Sequence, residues 1–531
     1  MPSFLITAGS SLLTLLLLKR YVYSLSNPAI ASIIVFVLLL RTSYYSFIRP
    51  RYFSKLSHFP LPTKDVHWFW GISTNIQERP DMLFVDWIEQ WKDSDIIRLR
   101  GMMGSESIVP VSVQAVTEVL SSQSYTFIKP PFIARSLNGV LGNGILFAEG
   151  DVHKQQRKLL MPAFSFGHVK SLVPIFLEES SRLISVINTH IDVPSEEGAE
   201  APQVDVSKIL SLLTLDIIYR AGLGVQFNAL DNPDNELSQA YQKVFNPAGN
   251  TSRIFFLFQS IIPGFRFLPF TRNRSLWQAR QTINRFANNA IDEKMEKYSK
   301  NEKMDKKDVD ILSCMILEGD GQWTKQGIAD QLMTFLVAGH ETTASATAVA
   351  LYLLSKNPEV QDRLRDEIRT QYPGGYSTIQ TYEDIESLKY LNNVIREVLR
   401  HTAPVIATIR MAKEDTTVCG KFVPKGTNAH VPIVGLNRSI DAWGDDAMEF
   451  NPDRWNDRQA PNAVSFLTFL HGPRSCIGRR FAELEFKTIM LTLVGHFKFS
   501  LKEGQEVLFR SSITYRPKGG LPLTITAVEG W

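Results

Sequence analysis

The feature that most constrains this chain is a loop near its C-terminal end, residues 469–478, with the sequence FLHGPRSCIG. It places Cys476 in a segment punctuated by Gly and Pro that leads directly into an apolar, helix-patterned run, residues 479–494. A thiol beside arginines and near the first N–H groups of a helix is favoured as a thiolate, because cations and the helix dipole stabilise negative charge. Cys476 is therefore predicted to be a metal ligand.

The other cysteines narrow the kind of metal centre. The chain has three, Cys314, Cys419 and Cys476, with no C-x-x-C and no C-x-x-C-H. This spacing argues against a zinc ribbon, a dithiol redox site and a covalently attached c-type haem. One protein thiolate, with the other ligands supplied by another group, fits haem iron with an axial cysteine. A buried structural cysteine is the alternative, and the odd count predicts a folded part that faces a reducing compartment.

The loop resembles the haem-binding loop of cytochromes P450, F-x-x-G-x-R-x-C-x-G. Its five fixed positions hold Phe469, Gly472, Arg474, Cys476 and Gly478. Five fixed letters in a chain of this length should match by chance on the order of once in ten thousand. The resemblance implies a mainly α-helical cytochrome P450 fold with a minor β subdomain, and haem b bound through Cys476.

Two apolar runs precede the globular part of the sequence. Residues 4–18 are separated by Lys19 and Arg20 from residues 21–40, and only the second run reaches the roughly 20 residues that cross a bilayer. We predict a membrane anchor and basic linker over residues 1–58, with one or two spans, and a catalytic domain over residues 59–531. The basic residues after Leu40 predict a cytosolic domain, and the resemblance implies the endoplasmic reticulum membrane. A cleaved signal peptide is the alternative.

The patterning of the domain indicates few strands and many helices. Short β-branched runs within residues 96–113 predict a small sheet near the start of the domain, and mostly helical patterning follows. Charge is nearly balanced, with 57 Lys and Arg against 54 Asp and Glu. No nucleic-acid-binding surface is therefore implied.

A long apolar helix is predicted over residues 324–356, and its centre reads AGHETT. Ala338 and Thr342 are four residues apart and share a face, and small residues there would make room for a bound diatomic molecule. The segment resembles the oxygen-binding A-G-x-[DE]-T element of the family. The resemblance implies that Thr342 hydrogen-bonds dioxygen and that Glu341 relays protons from solvent. The alternative is an exposed acid and a threonine bonded back to its own helix.

Three further residues are expected to bind the haem propionates. His153 and Arg157 are four apart on one helical face, where family members usually carry Trp-x-x-x-Arg. Arg157 fits that role, and the imidazole N–H of His153 could still donate. Arg410 matches a second propionate-binding arginine. An ordinary solvated helix face is the alternative for the pair on one helix.

A structural network is implied by two further segments. Glu397 and Arg400 form an E-x-x-R in which acid and base can pair along one helix face. Arg454 lies in a segment that resembles the P-E-R-F turn of the family, with Asp453 and Trp455 replacing the usual acid and aromatic residue. We expect Glu397, Arg400 and Arg454 to support the cysteine loop without a catalytic role.

The expected partner is an NADPH-cytochrome P450 reductase. Arg479, Arg480 and Lys487, together with Lys158, form a basic surface that we expect to receive its acidic flavin domain.

The predicted reaction inserts one oxygen atom from O₂ into an apolar small molecule such as a terpenoid, polyketide, alkaloid or fatty acid. A role in fungal secondary metabolism follows only from the habits of the family. The alternatives are a reductase-independent haem-thiolate isomerase or dehydratase and a non-enzymatic haem sensor. The residues predicted to line the substrate pocket are Phe127, Phe132, Ile133, Leu137, Val405, Ile406 and Ile513.

Overall fold

The computed structural model describes residues 27–62, 67, 70–71, 81–134, 142–191, 202–245, 265, 268–300, 310–319, 321–457, 459–511 and 513–531. Helices make up most of these residues, and the strands form small sheets. The predicted mainly α-helical architecture with a minor β region is therefore confirmed. The first apolar run, the start of the second and Leu137 lie outside the described residues.

The helices are numbered in chain order. In the first half of the chain they are α1 (Asn27–Ser43), α2 (Arg49–Tyr52), α3 (Met82–Gln90), α4 (Val113–Thr117), α5 (Gly150–Leu160), α6 (Phe166–Ser171), α7 (Val173–Ile191), α8 (Val206–Leu223) and α9 (Glu236–Phe245). In the second half they are α10 (Thr271–Ser299), α11 (Ile311–Glu318), α12 (Lys325–Lys356), α13 (Pro358–Gln371), α14 (Tyr382–Glu386), α15 (Lys389–His401), α16 (Ile433–Asn437), α17 (Ile440–Trp443) and α18 (Arg479–His496).

The strands are likewise numbered in chain order. They are β1 (Ile96–Arg100), β2 (Glu106–Pro110), β3 (Phe127–Ile128), β4 (Gln203–Asp205), β5 (Thr408–Ala412), β6 (Thr416–Val418), β7 (Lys421–Val423), β8 (Asn428–Val431), β9 (Phe497–Ser500), β10 (Phe509–Ser511), β11 (Tyr515–Pro517) and β12 (Pro522–Ala527).

A five-stranded sheet of order β1-β2-β8-β5-β3 contains the strands that the sequence predicted near residue 100. Strands β1 and β2 pair antiparallel with Ile96 opposite Pro110, and only the pairing of β2 with β8 in this sheet is parallel. A second sheet of order β4-β12-β9 lies on the helical part, and β6–β7 and β10–β11 form separate hairpins. The hairpin β10–β11 becomes important at the site.

Helix α12 runs through the centre of the helical part. Thr324 caps its first turn by accepting a hydrogen bond from the Gly327 N–H at 3.0 Å. Apolar side chains all around the helix are buried, from Ile328 to Leu354, which is typical of a helix inside a protein core. Helices α8 and α18 pack against it, so the segment after the cysteine loop lies next to the predicted oxygen-binding helix.

Helix α1 presents apolar side chains outward. Val35, Phe36, Leu39 and Leu40 are exposed, and Arg41 lies in the last turn. Among the helices that the structure describes, none combines the length and the hydropathy that a bilayer crossing requires.

Candidate functional site

The cysteine loop is a tight turn held by backbone hydrogen bonds. The Cys476 N–H donates to the Phe469 carbonyl at 2.8 Å, and Leu470 and Gly472 adopt positive φ angles of 58° and 79°. A Cβ atom on Gly472 would lie 2.5 Å from the Leu120 carbonyl oxygen. Only glycine lets the loop approach the helical turn Glu118–Ser122 this closely.

The Cys476 side chain keeps accessible surface although protein surrounds it, so it faces an open space inside the molecule. Burial raises the pKa of the Cys476 thiol, and this effect outweighs the Gly478 N–H and the Arg157 guanidinium, which lower it. The nearby cations and the start of the helix therefore lower the pKa as the sequence argument expected, but desolvation outweighs them, so the protein alone does not favour the thiolate. A bound metal cation deprotonates a coordinating thiol outright, and this stabilisation would come from the iron.

The centre of α12 also faces open space. Ala338 is exposed and Thr342 is half-buried, whereas Val337 and His340 beside them are buried. The Thr342 hydroxyl donates to the Ala338 carbonyl at 2.7 Å, so this part of the predicted alternative is present. Gly339, between them, faces helix α8. A Cβ atom there would lie 3.0 Å from the Ile218 side chain, so the missing side chain lets α8 pack closely.

Glu341 is buried and paired, in contrast to the exposed acid of that alternative. Its Oε1 atom accepts hydrogen bonds from Arg516 Nη1 at 2.6 Å and from Thr514 Oγ1 at 3.0 Å. Sequence reasoning missed both partners. The pairs are 175 and 173 residues apart, and the fold alone brings the hairpin β10–β11 to α12.

Among the described residues, three cations come together beside one carboxylate: Arg474 and Arg410 are buried, and Lys129 is partly buried. Arg474 donates to the Ala148 carbonyl at 3.0 Å and pairs with Glu149. Arg410 donates to the Thr408 hydroxyl at 2.8 Å, and Lys129, which the sequence analysis did not identify, donates through its ammonium to the Leu146 carbonyl.

Burial lowers the pKa of Arg410 to about 10 and that of Lys129 to about 7, and the neighbouring arginines add to both shifts. A buried group with more cations than anions is stabilised by an added anion. The two carboxylates of haem b fit this requirement, so the residues present suit the cofactor.

His153 and Arg157, the two residues of α5 that were predicted to bind the propionates, make different contacts. His153 is buried beside Tyr125, with Nδ1 3.1 Å from the tyrosine hydroxyl, and burial together with the surrounding cations lowers its pKa to about 4. Arg157 instead donates to the Ser475 carbonyl at 2.7 Å and so ties α5 to the cysteine loop. An ordinary solvated helix face is therefore wrong for this pair.

The structure brings the three expected network residues together. Arg400 donates to both oxygens of Glu397 at 2.8 Å, and both side chains are fully buried. Arg454 lies 3.4 Å from Glu397 and pairs with Asp446 at 2.8 Å. Removing one member of such a buried group typically costs roughly 3 to 5 kcal/mol, because a charge is left unpaired.

The comparisons with known proteins agree with this geometry. Residues 60–521 match the sequence model of the family described as Cytochrome P450. This chain belongs to the cytochrome P450 family.

Two curated relatives of this P450 are fungal. The chain is 37% identical over 502 residues to cytochrome P450 monooxygenase sphH of Aspergillus fumigatus, covering 92% of this chain and 91% of that protein. It is 34% identical over 585 residues to cytochrome P450 monooxygenase FUM15 of Gibberella moniliformis, covering 98% and 95%. The chain is thus an oxidoreductase, a haem-dependent cytochrome P450 monooxygenase.

A solved structure shows the same fold. The crystal structure of the cytochrome P450DA heme domain superimposes with a TM-score of 0.72 at 22% identity, covering 89% of this chain and 98% of that one. At this identity the likeness concerns the fold alone.

The replaced residues of the P-E-R-F-like turn make contacts of their own in this P450. Trp455 donates from Nε1 to Glu397 Oε2 at 3.0 Å, a hydrogen bond that phenylalanine could not make. Asp453 pairs with Arg363 at 2.7 Å near the surface. The tryptophan therefore adds a donor to the buried carboxylate.

The basic surface differs from the expectation at one residue. Arg479 and Arg480 are exposed, and Arg479 pairs with Glu483 at 3.0 Å. Lys487 is largely buried and pairs with Glu386 at 2.6 Å, so its charge is neutralised within the protein. The exposed basic groups of the expected set are Arg479, Arg480 and Lys158.

The predicted pocket residues divide into two groups. Phe127 and Ile406 are buried in the core around the five-stranded sheet, so they expose little surface to any pocket. Four others keep accessible surface: Phe132, Ile133, Val405 and Ile513.

Proposed function

We propose that this P450 is a membrane-attached monooxygenase of fungal secondary metabolism, which oxygenates an apolar small molecule with electrons from NADPH through a partner reductase. The observation that carries the proposal is the accessible Cys476 thiol within the protein, on a loop that leads into α18. Helix α18 packs against α12, the helix that presents Ala338 and Thr342. An inner thiol and an inner helix face with open surface suit a cofactor that binds between them.

Cys476 would be the residue that binds the haem iron. The haem, when bound, supplies the oxygen activation, and a cysteine thiolate favours O–O cleavage by donating electron density. The backbone hydrogen bond from Cys476 to Phe469 fixes the sulfur-bearing residue in the loop. Phe469, Gly472 and Gly478 would shape that loop.

The propionates of the haem would lie among Arg410, Arg474, His153 and Lys129. Their pKa shifts share one cause, burial among other cations, and two carboxylates would relieve it. Arg157 would act from the other side by holding the loop through Ser475.

Glu341 and Thr342 would manage protons during the reaction. Reduction of one oxygen atom to water consumes protons, which a buried site must import through side chains. The carboxylate of Glu341 would take protons from the solvent side. The hydroxyl of Thr342, which donates to the Ala338 carbonyl in this structure, would turn to donate its hydrogen bond to dioxygen instead.

The substrate proposal rests on the accessible apolar side chains of Phe132, Ile133, Val405 and Ile513. They favour an apolar compound such as a terpenoid, polyketide, alkaloid or fatty acid. The two fungal relatives support a place in fungal chemistry.

Reductase docking is supported by the exposed arginines Arg479 and Arg480 at the start of the helix after the cysteine loop. Charge complementarity of this kind accelerates association between partners. NADPH electrons would reach the site from this side.

Membrane attachment is supported by the exposed apolar side chains of α1 and by the arginines that follow them. Residues 1–58 would anchor a cytosolic catalytic domain, residues 59–531, to the endoplasmic reticulum membrane.

The test combines two measurements on the full chain. A carbon monoxide difference spectrum should show a haem-thiolate enzyme, and Cys476→Ser should abolish that spectrum while the protein remains folded by circular dichroism. NADPH consumption should then require added reductase. An unaltered spectrum in Cys476→Ser would overturn the assignment of the ligand, and turnover without reductase would overturn the proposed electron route.

A further inference from the structure

The proton-handling acid of this P450 is held by the C-terminal hairpin through one of its two oxygens. Arg516 and Thr514, at β11 of the hairpin β10–β11, both donate to Oε1 of Glu341, at 2.6 Å and 3.0 Å. The Glu341 and Arg516 side chains are 9% and 15% exposed, so solvent screens this ion pair little.

The second oxygen of Glu341, Oε2, has a different environment. Among the described residues Oε2 accepts no hydrogen bond, and it lies 3.8 Å from Nε2 of His340. The other ring nitrogen of His340, Nδ1, lies 2.9 Å from the Leu336 carbonyl and carries the hydrogen, because a carbonyl oxygen only accepts.

Burial lowers the pKa of His340, so the ring is neutral and Nε2 is unprotonated. An unprotonated nitrogen offers Oε2 no hydrogen-bond donor. Oε1 is therefore the held oxygen of Glu341, and Oε2 is the oxygen that can take up and release a proton.

We propose that Arg516 and Thr514 are positioning residues for the monooxygenase reaction. By fixing Oε1, they orient Glu341 so that Oε2 gains a proton from the solvent side and gives it up toward Thr342, after which the carboxylate is restored. Arg516 stays protonated throughout, because a guanidinium does not release its proton in proteins. The inference rests on the proposed role of Glu341 as a proton relay.

The hairpin is fixed to α12 at a second point. The Ser345 hydroxyl donates to the Tyr515 carbonyl at 2.5 Å, one helical turn beyond Glu341. Two contacts four residues apart on one helix define the position of the strand along α12. The side chain of Arg516, on β11, therefore reaches Glu341 from a fixed position.

The chain offers a matched control. Arg510 lies on β10 of the same hairpin, and its pKa is lowered by burial and by the Arg516 charge, while the Glu341 charge raises it. Arg510 thus lies within range of the same field, but the hydrogen bonds to Oε1 come from Arg516 and Thr514. Within the part of the chain that the structure describes, the charged and titratable groups near Glu341 are Arg516 and Arg510 of the hairpin and His340 of α12.

The experiment follows the carboxyl of Glu341 in the haem-loaded full chain by infrared difference spectroscopy during a pH titration. The band of the protonated acid is identified by its loss in Glu341→Gln. Because an opposite charge favours the ionised acid, Arg516→Met should move the midpoint upward by about one pH unit or more. Thr514→Val should move it less, and Arg516→Lys should stay near the parent protein. Arg510→Met should move it by only a small fraction of the Arg516→Met shift, because Arg510 acts on Glu341 through charge and not through a hydrogen bond to Oε1.

A second readout measures hydrogen peroxide released per NADPH consumed with added reductase. This ratio should rise in Arg516→Met and return toward the parent value in Arg516→Lys, while the carbon monoxide difference spectrum is unchanged in both. An unshifted carboxyl band in Arg516→Met, or an equal shift in Arg510→Met, would overturn the inference. A parent protein that consumes no NADPH with reductase would instead overturn the proposed function.

Discussion

Burial sets the protonation of single side chains in this P450 more strongly than neighbouring charges do. Burial raises the pKa of the Cys476 thiol although Arg157 opposes the change, and it lowers the pKa of His340 although Glu341 opposes the change. The sequence identified the charges around Cys476, but it did not show that desolvation has a larger effect on the pKa than those charges have. The extent of burial depends on the whole fold, so the expected preference for the thiolate was wrong for the protein alone.

Glu485 on α18 is an acid that the protein keeps uncharged. It is buried, and neither carboxyl oxygen makes a hydrogen bond within the part of the chain that the structure describes. Burial raises the pKa of Glu485 from 4.5 to about 8, and the nearby Thr343 hydroxyl opposes the shift only partly. The sequence alone does not distinguish Glu485 from an ordinary acidic residue of a helix.

We expect Glu485→Gln to stabilise the protein increasingly as pH rises. Below about pH 4.5 the acid is protonated in both the folded and the unfolded state, so its raised pKa does not lower the free energy of unfolding. Between about pH 4.5 and 8 it ionises only when unfolded, so the folded state loses stability with rising pH. At pH 8 the variant should gain at least about 1.4 kcal/mol, the equivalent of one pKa unit.

Chemical denaturation of the parent protein and of Glu485→Gln at pH 5, 6.5 and 8 measures this difference. If Glu485→Gln changed the free energy of unfolding by the same amount at every pH, burial would not be holding Glu485 in its neutral form, and the prediction would be wrong.

At the scale of elements, the cysteine loop and the helical turn Glu118–Ser122 fit together only because Gly472 has no side chain. The family motif predicted a glycine at this position, but the physical reason for it lies in a contact with Leu120, 352 positions away along the chain. Local spacing predicts pairs such as Glu397 with Arg400, which are three residues apart on one helix. It carries no signal for Arg516 with Glu341, which are 175 residues apart.

We expect Gly472→Ala to abolish formation of the cysteine loop. The substitution combines a positive φ angle of 79° with a Cβ atom 2.5 Å from the Leu120 carbonyl oxygen, a backbone atom that cannot move aside cheaply. Gly420→Ala is the matched control, because its φ angle is 71° and a Cβ atom there meets nothing within 4 Å.

The control should lose only about 1 to 2 kcal/mol from backbone strain and still bind haem. The fraction of purified protein that carries haem, together with the thermal unfolding temperature, measures both variants. Equal haem content in the two variants would contradict the role given to the contact with Leu120.

At the scale of the whole molecule, the family motifs and their order predicted the mainly helical fold, and short β-branched runs predicted the first sheet. What they could not predict was which side chains the sheet buries. Phe127 and Ile406 are apolar in the sequence just as Val405 is, yet only Val405 keeps accessible surface. Lys129 was not predicted either, because the sequence shows only an isolated lysine in an apolar loop. It does not show that the fold places two arginines near this lysine.

The cluster around Lys129 makes the stability of the whole protein depend on its cofactor and on pH. The pKa of Lys129 falls from 10.5 to about 7, chiefly through burial and then through Arg410 and Arg474. Between about pH 10.5 and 7 the unfolded chain binds a proton that the folded chain without haem does not, so stability falls as pH falls across this window. Below about pH 7 the full loss of stability that the lowered pKa of Lys129 causes remains.

Two carboxylates bound beside Lys129 would favour its charged form and remove that cost. We therefore expect the gain in unfolding temperature on haem binding to be larger at pH 7 than at pH 9.5 in the parent protein. In Lys129→Met the protein without haem should be more stable than the parent at pH 7, and its gain on haem binding should vary less with pH. Lys154→Met, which removes an exposed lysine of α5, should behave as the parent.

Thermal unfolding of the haem-free and haem-loaded forms of the three proteins at the two pH values gives the comparison. If haem stabilises Lys129→Met and the parent by the same amount at pH 7, the ammonium is not part of the propionate site. The excess of buried cations would then need another anion, since burial of Arg410 and Arg474 beside the single carboxylate of Glu149 persists in the variant.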